Sequence, residues 1–383
     1  MTRFLRYAQE KHAEIVSLTS ELAACESPSD SPAAINRLLD LLIEKTADIA
    51  TAKTFESSSQ PGKFGNTLRL QFHLPGAEKE GQILALGHSD TVWPLGTVKK
   101  MPVNVADGRL WGPGVLDMKA GLAFFIFAMR ALRDWNVPVS HEVVLLVVPD
   151  EEIGSTISRP LTEEEAKRSK CVLVLEPGTG FAGKLKTARK GVGDYQVFIK
   201  GKAAHAGVDF SSGASAILEA ARQISEIAKF TDLERGITVN PGVISGGTRS
   251  NVIADSAQVH VDVRVNRLPD AAELDAKFRA LRAVDDRCTV TVEGGLNRPP
   301  MERTAEIAAL FHKAQALAES IGIRLEESST GGGSDGNFTA ALGVPTLDGL
   351  GGVGEGAHAP NESILLDRVA DRVALLAGIV AAI

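Results

Sequence analysis

Apolar and polar positions follow two different patterns along this chain. Residues 83–86, 143–148 and 172–175 are short and continuously apolar, as strands buried on both faces of a sheet are. Between the first two, residues 118–134 form a helical-length stretch rich in Ala, Leu and Phe. Strand–helix–strand alternation of this kind predicts an α/β layer. The middle of the chain differs. Residues 195–199 read as a strand, 214–229 as an amphipathic helix capped by Ser211 or Ser212, and 237–244 as a strand. Residues 257–265 alternate cleanly, with Val259, Val261, Val263 and Val265 on one face and His260, Asp262 and Arg264 on the other. Pro269 opens a helix that runs to about Val284, and residues 289–292 form a last strand. The order β-α-β-β-α-β is the ferredoxin-like split motif. A helix at 304–320, a strand at 344–347 and a closing helix at 365–383 then resume the first pattern. The chain therefore reads as a discontinuous α/β domain, residues 1–189 and 300–383, carrying an α+β insert at 190–299.

Length agrees with this division, because 383 residues exceed one ordinary core. An apolar fraction of 44% with 23% charged residues is that of a globular protein. A net charge of −7 without a long basic run speaks against nucleic acid and anionic membrane as partners. Cys25, Cys171 and Cys288 are odd in number and scattered, so they form neither a disulfide framework nor a thiolate metal site, and they suit a reducing compartment. The first fifteen residues lack the apolar core of a secretory signal. The longest apolar runs are too short to span a bilayer. These features predict a cytoplasmic enzyme.

The chemistry stands where the apolar runs stop. His88 and Asp90 follow the first run, Glu151 and Glu152 the second, and Glu176 closes the third. Asp117 lies in the Gly-rich turn before the helix, and His358 in the small-residue loop GEGAHAPNE. Ligands of open α/β sheets gather beyond the carboxyl ends of the strands. Imidazole and carboxylate suit Zn²⁺, and two ions can share a bridging carboxylate and a water. Spacing of two puts His88 and Asp90 on one side of an extended chain, where Asp90 can accept the ring N–H. Adjacent Glu151 and Glu152 point opposite ways in extended backbone, so one can bind metal while the other faces the attacking water. Each residue also has a plainer reading alone: a helix N-cap for Asp117, an ion pair for Glu176, solvated loops for the rest. Asp117, Glu152 and Glu176 supply −3 against the +4 of two Zn²⁺, and a hydroxide balances the remainder.

In order, GHSDTV, GPGVLDMKAG, PDEEIGS, LEPG, GKAAHAG, GGTRSNVIAD, TGGGSD and HAPNE resemble the zinc aminoacylase and carboxypeptidase family of metallopeptidases. The match is best with its carboxypeptidase-G branch, the glutamate carboxypeptidases, and runs from about residue 80 to the C-terminus. The resemblance implies a mixed-sheet zinc-exopeptidase-like catalytic domain with an inserted ferredoxin-like lid domain that forms a homodimer. It implies that His88, Asp117 and Glu176 hold one Zn²⁺ and that Asp117, Glu152 and His358 hold the other, with Asp117 and a water or hydroxide bridging. Co²⁺ and Mn²⁺ suit the same ligands. Glu151 would be the general base, Asp90 would orient His88, and His205 would stabilise the oxyanion, often from the partner subunit. Asn251 would contact substrate, and the Asp117–Met118 peptide would be cis.

Basic positions equivalent to Lys184, Arg264 and Arg298 bind substrate carboxylates in that branch, together with the loop holding Gly332 and Gly333. Arginine clasps a carboxylate with two parallel hydrogen bonds. The expectation is release of a C-terminal glutamate from an N-acyl amino acid or dipeptide. Two alternatives stand beside it: an N-acyl amino acid deacylase of the acetylornithine or succinyl-diaminopimelate type, and a non-catalytic binding protein on the same scaffold.

Overall fold

A computed structural model of the chain describes residues 1–57, 60–76 and 78–383. The chain forms two compact units: Met1–Ala188 with Arg303–Ser329 and Ser334–Ile383, and Arg189–Glu302 with Thr330–Gly333. The second unit starts one residue earlier and ends three residues later than the insert expected at 190–299, and it also takes in the glycine-rich loop.

The first unit is built on a mixed six-stranded sheet in the order Ala50–Phe55, Thr67–Phe72, Glu142–Val148, Gln82–His88, Ser169–Val174, Thr346–Leu347. Gln82–His88 runs parallel to both its neighbours, while Thr67–Phe72 is antiparallel to Glu142–Val148. Continuous apolar runs sit where the sheet is covered twice. Ile83, Ala85, Val143, Leu145 and Val147 join the core beneath Ala120–Asp134 and Val369–Ala382. The alternate residues Leu84, Leu86, Val144, Leu146 and Val148 pack with Ala166 and Leu161 of Arg159–Lys167 on the other face. No side of these strands is left for a polar residue until the strand ends.

Helical geometry begins at Ala120, two residues later than the apolar pattern suggests, because Asp117 and Met118 have non-helical backbone and the peptide between them is cis. Gly121 explains how closely this helix approaches the sheet. A Cβ there would meet the carbonyl oxygen of Leu175 at 2.1 Å, so only glycine lets the helix start beside the end of the strand that leads to Glu176.

The second unit is an antiparallel sheet in the order Thr238–Gly246, Ser256–Val265, Gly191–Lys200, Thr289–Arg298. Val259, Val261, Val263 and Val265 face a core shared with Ala216–Ile227 and Leu268–Arg279, and Tyr195 stacks on Phe278 at 3.9 Å. His260, Asp262 and Arg264 lie on the other, partly solvated face. Two details differ from expectation. The first helix is capped by Ser215, whose side chain accepts the N–H of Leu218, not by Ser211 or Ser212, which form a separate short turn. The second helix stops at Arg279 and does not reach Val284, because the N–H groups of Val284 and Asp285 turn to the Glu219 carboxylate at 2.9 and 3.1 Å. Among the described residues no helix is long and apolar enough to cross a membrane.

Candidate metal centre

Five strand or loop ends of the first unit converge. His88 closes its strand and is buried, and its Nε2 stands 3.2 Å from Asp117 Oδ1 and 3.7 Å from Glu176 Oε1. His358 Nε2 stands 3.3 Å from the other Asp117 oxygen, Oδ2, and 3.1 Å from Glu152 Oε1. Asp117 therefore offers one oxygen to each imidazole. His358 adopts φ +62°, a left-handed conformation uncommon for a residue with a Cβ.

The spacing tests whether a metal fits. Four ligands around a Zn²⁺ with bonds of about 2.0–2.1 Å lie about 3.3 Å apart. The histidine–carboxylate separations of 3.1 to 3.7 Å match that edge length. His88, Asp117 and Glu152 each place a ligand atom within 4.8 Å of the others, and so do His88, Glu151 and Glu176. The donor set of two imidazoles and several carboxylates is one that Zn²⁺, Co²⁺ and Mn²⁺ all accept.

Electrostatics follow from crowding acids with imidazoles. Although burial disfavours a charged ring, the Asp117 and Asp90 carboxylates hold His88 well above the ordinary histidine value. Asp117 and Glu152 push His358 up to about 10. Burial would raise Asp117, but hydrogen bonds from His358 and His88 outweigh it and keep that carboxyl well below the usual range.

Glu151 and Glu152 depart from the extended backbone assumed for them. They open a short 3₁₀ turn, Glu151–Ile153, ended by Gly154 at φ +97°. Three residues per turn still set neighbours about 120° apart, so Glu151 joins His88 and Glu176 while Glu152 joins Asp117 and His358. The turn is held by Asp90, whose Oδ1 accepts the Glu151 N–H at 3.2 Å and whose Oδ2 accepts the Glu152 N–H at 3.1 Å. Ser29 Oγ donates to the same Oδ2 at 2.8 Å. The His88 Nδ1–H has its shorter contact, 2.9 Å, with the backbone carbonyl of Asp90, and the Asp90 carboxylate stands 3.5 Å away.

The sequence reading passed over a fully buried residue that organises this centre. Glu362 receives four donors: Leu116 N–H at 2.9 Å and Asp117 N–H at 3.0 Å on Oε1, Gly114 N–H and Trp93 Nε1–H at 2.8 Å on Oε2. Burial pushes its carboxyl up, against the pull of these donors. Glu362 lies four residues beyond His358, so one segment supplies a histidine and also fixes the turn that carries Asp117. Its only sequence signal was its place in HAPNE.

Lys184 lies in the first unit and is ion-paired with Glu326 at 2.7 Å. His205, Asn251, Arg264, Arg298, Gly332 and Gly333 belong to the second unit. There the His205 and Asn251 loops pair, with Ala206 N–H donating to the Asn251 carbonyl at 3.0 Å, and both side chains are exposed. Arg264 is held in a two-bond pair with Asp262, at 2.9 and 2.8 Å, and reaches the Gly331 carbonyl at 3.3 Å. Arg298 is buried against Gly333. Arg189, which the sequence pattern did not single out, donates to the Gly332 and Gly333 carbonyls at 3.1 and 3.0 Å.

A mixed sheet whose strand ends gather this ligand set defines a metallopeptidase-type hydrolase. Residues 84–382 match the family described as Peptidase family M20/M25/M40, and the chain belongs to it. It is 33% identical to carboxypeptidase G2 of Pseudomonas sp. (strain RS-16) over 279 residues, covering 72% of this chain and 67% of that one. It is 28% identical to the succinyl-diaminopimelate desuccinylase of Zymomonas mobilis over 357 residues, covering 85% of this chain and 87% of the relative. The crystal structure of aminopeptidase PepT from Bacillus cereus superposes with a TM-score of 0.81 at 26% identity, covering 97% and 98% of the two chains.

Proposed function

We propose that the chain is a two-zinc hydrolase that cleaves the amide of N-acyl amino acids or dipeptides and releases a C-terminal glutamate. One observation carries the two-metal reading: Asp117 presents Oδ1 to His88 at 3.2 Å and Oδ2 to His358 at 3.3 Å. His88, Asp117 and Glu176 would hold one ion, and Asp117, Glu152 and His358 the other. Bound ions would polarise the scissile carbonyl and lower the pKa of water. Glu151 then takes the proton of the attacking water and returns it to the leaving nitrogen. Asp90 keeps Glu151 and Glu152 in place through their N–H groups. His205 donates to the developing oxyanion, and Asn251 contacts substrate.

Support for glutamate comes from the likeness to carboxypeptidase G2 and from the arginines around residues 330–333. Lys184 and Arg264 already have carboxylate partners in the protein. Arg298, with Gly332 and Gly333, belongs to the same expected carboxylate site. The longer alignment with the desuccinylase favours a deacylase as the second reading. The deciding experiment is metal analysis with turnover of N-acyl-glutamate, N-acetyl-ornithine, succinyl-diaminopimelate and neutral dipeptides. Glu151→Gln should keep its metal and lose at least about 100-fold in kcat. Full turnover in that metal-loaded variant defeats the mechanism.

The same reading includes a cytoplasmic homodimer joined through the second unit. Three free cysteines suit a reducing compartment. The edge strand Thr238–Gly246 leaves Val243 59% and Ile244 52% exposed, as an edge awaiting a partner would. A monomer in sedimentation equilibrium removes this part of the reading.

A further inference from the structure

The turn that carries Glu151 is exposed at its middle and pinned at its two ends. Glu151, Glu152 and Gly154 are partly exposed and Ile153 is 51% exposed, whereas Ser155 is fully buried. Apolar packing therefore does little to fix the Glu151 carboxylate, and polar contacts do the rest. Asp90 holds the leading end through the N–H groups of Glu151 and Glu152. Ser155 holds the trailing end. Its N–H donates to the Asp150 carbonyl at 2.7 Å, and its hydroxyl donates to Asp335 Oδ1. The buried Asp150 carboxylate draws the next residues back, with Oδ2 accepting the Ile157 N–H at 2.8 Å. Ser155 adopts φ +54°, where glycine would sit at less cost. What glycine lacks is the hydroxyl that reaches Asp335.

Asp335 is itself firmly mounted. The Ser334 N–H donates to Asn337 Oδ1 at 2.9 Å, Ser334 Oγ donates to Asp348 Oδ2 at 2.7 Å, and the Gly336 N–H donates to Ser334 Oγ at 3.1 Å. Ser334, Asn337 and Asp348 are fully buried, and Asp348 directly follows the edge strand Thr346–Leu347 of the six-stranded sheet. Together with His88, Glu151 and Glu176, Asp335 also borders a cavity of about 10 Å³, room for roughly one water.

We infer that Ser155 and Asp335 are positioning residues for the general base: their hydrogen bond ties the Glu151 turn to the edge of the sheet and keeps the Glu151 carboxylate at the water-sized cavity. The inference rests on the hydrolase reading above and deepens it. A general base must stand within about 2.6–3.2 Å of the atom whose proton it takes, and a displacement of about 1 Å can cost about 100-fold in rate. Glu152 has His358 as a further partner at 3.1 Å, so loosening the trailing end should move the base and spare the metal ligand.

The test compares wild type with Ser155→Gly, Asp335→Leu and Asp335→Asn, using the conjugate turned over fastest in the panel above and counting turnover per bound zinc. That count removes any share of protein that fails to fold. Ser155→Gly suits the backbone and removes the hydroxyl, while Asp335→Asn keeps an acceptor oxygen for it. Ser155→Gly and Asp335→Leu should each lose at least about tenfold in kcat with KM nearly unchanged, and Asp335→Asn should recover most of that loss. Hydrogen exchange gives a readout without turnover: the amides of Gly154, Ser155 and Ile157 should exchange faster in Ser155→Gly and Asp335→Leu than in wild type or Asp335→Asn. Wild-type kcat in zinc-loaded Ser155→Gly, or a loss confined to KM or to zinc content, overturns the assignment while leaving the hydrolase intact. Equal losses in Asp335→Asn and Asp335→Leu trace the effect to charge and overturn it likewise. Failure of wild type to turn over any conjugate defeats the hydrolase reading. Exchange then judges the Ser155–Asp335 tie alone, and unchanged protection in both Ser155→Gly and Asp335→Leu overturns it.

Discussion

At the residue scale, the centre depends on carboxylates that touch no metal in the proposed arrangement. Asp90 and Glu362 each collect N–H groups from the segments that carry the ligands, Asp90 from the Glu151 turn and Glu362 from the Asp117 turn. Unpaired buried donors cost about 1–3 kcal/mol each. Glu362→Ala strands four of them, so a loss of at least about 3 kcal/mol in denaturant unfolding is expected. Glu362→Gln keeps one acceptor oxygen and should lose less. Both variants should bind metal at least about tenfold more weakly in a chelator competition, because a supporting hydrogen bond typically tunes affinity by that much. Wild-type stability together with wild-type metal affinity in Glu362→Ala would show that the carboxylate does not hold the Asp117 turn.

At the element scale, helix ends and strand ends are fixed by polar residues reaching across the fold. Glu219, buried on its helix, accepts the N–H groups of Val284 and Asp285 and the side chains of Gln223 and Arg222, at 2.8 to 3.1 Å. Burial raises its carboxyl, but these donors outweigh burial and leave it below the ordinary value of 4.5. A depressed folded value means that the stabilisation is fully present above pH 4.5 and disappears as pH falls through the lower folded value. Thermal melts of wild type and Glu219→Gln should therefore differ most near neutral pH and draw together as pH falls below 4.5. A gap that is constant from pH 7 to pH 3 contradicts this assignment. The same kind of control ends the second helix of that unit at Arg279, where hydrophobic periodicity alone continued it to Val284.

At the scale of the whole molecule, two separate cores imply two separable stabilities. One core surrounds the six-stranded sheet and the other lies under the four-stranded one. All three tryptophans, Trp93, Trp111 and Trp135, belong to the first unit, so their fluorescence reports its unfolding alone. A ligand that binds only the native state stabilises by about 2.7 kcal/mol at 100 times its Kd. Removing metal with a chelator should abolish turnover and lower the tryptophan-monitored Tm, and Zn²⁺ should restore both. An identical tryptophan melt with and without metal would count against a metal centre in the first unit.

Local order along the chain was enough to determine four of the six strands of the first sheet, the split motif of the second unit and the residue types at the metal centre, but not the strands Ala50–Phe55 and Thr67–Phe72. A strand covered on both faces has no polar positions, so acids and imidazoles appear only once its apolar run has ended; His88, Glu151, Glu152 and Glu176 all stand just past such a run. Pairings between distant segments were decided only by the tertiary structure. Nothing near Glu362 announces the three backbone N–H groups it receives from residues 114–117, and nothing near Arg189 announces the carbonyls of Gly332 and Gly333. Ser215 displaced Ser211 and Ser212 as a cap for a related reason, since several hydroxyls were available locally and the packed position of the helix chose among them. Periodicity records which face of an element is dry. It does not record which donor meets which acceptor, because that match is made only after the elements have packed.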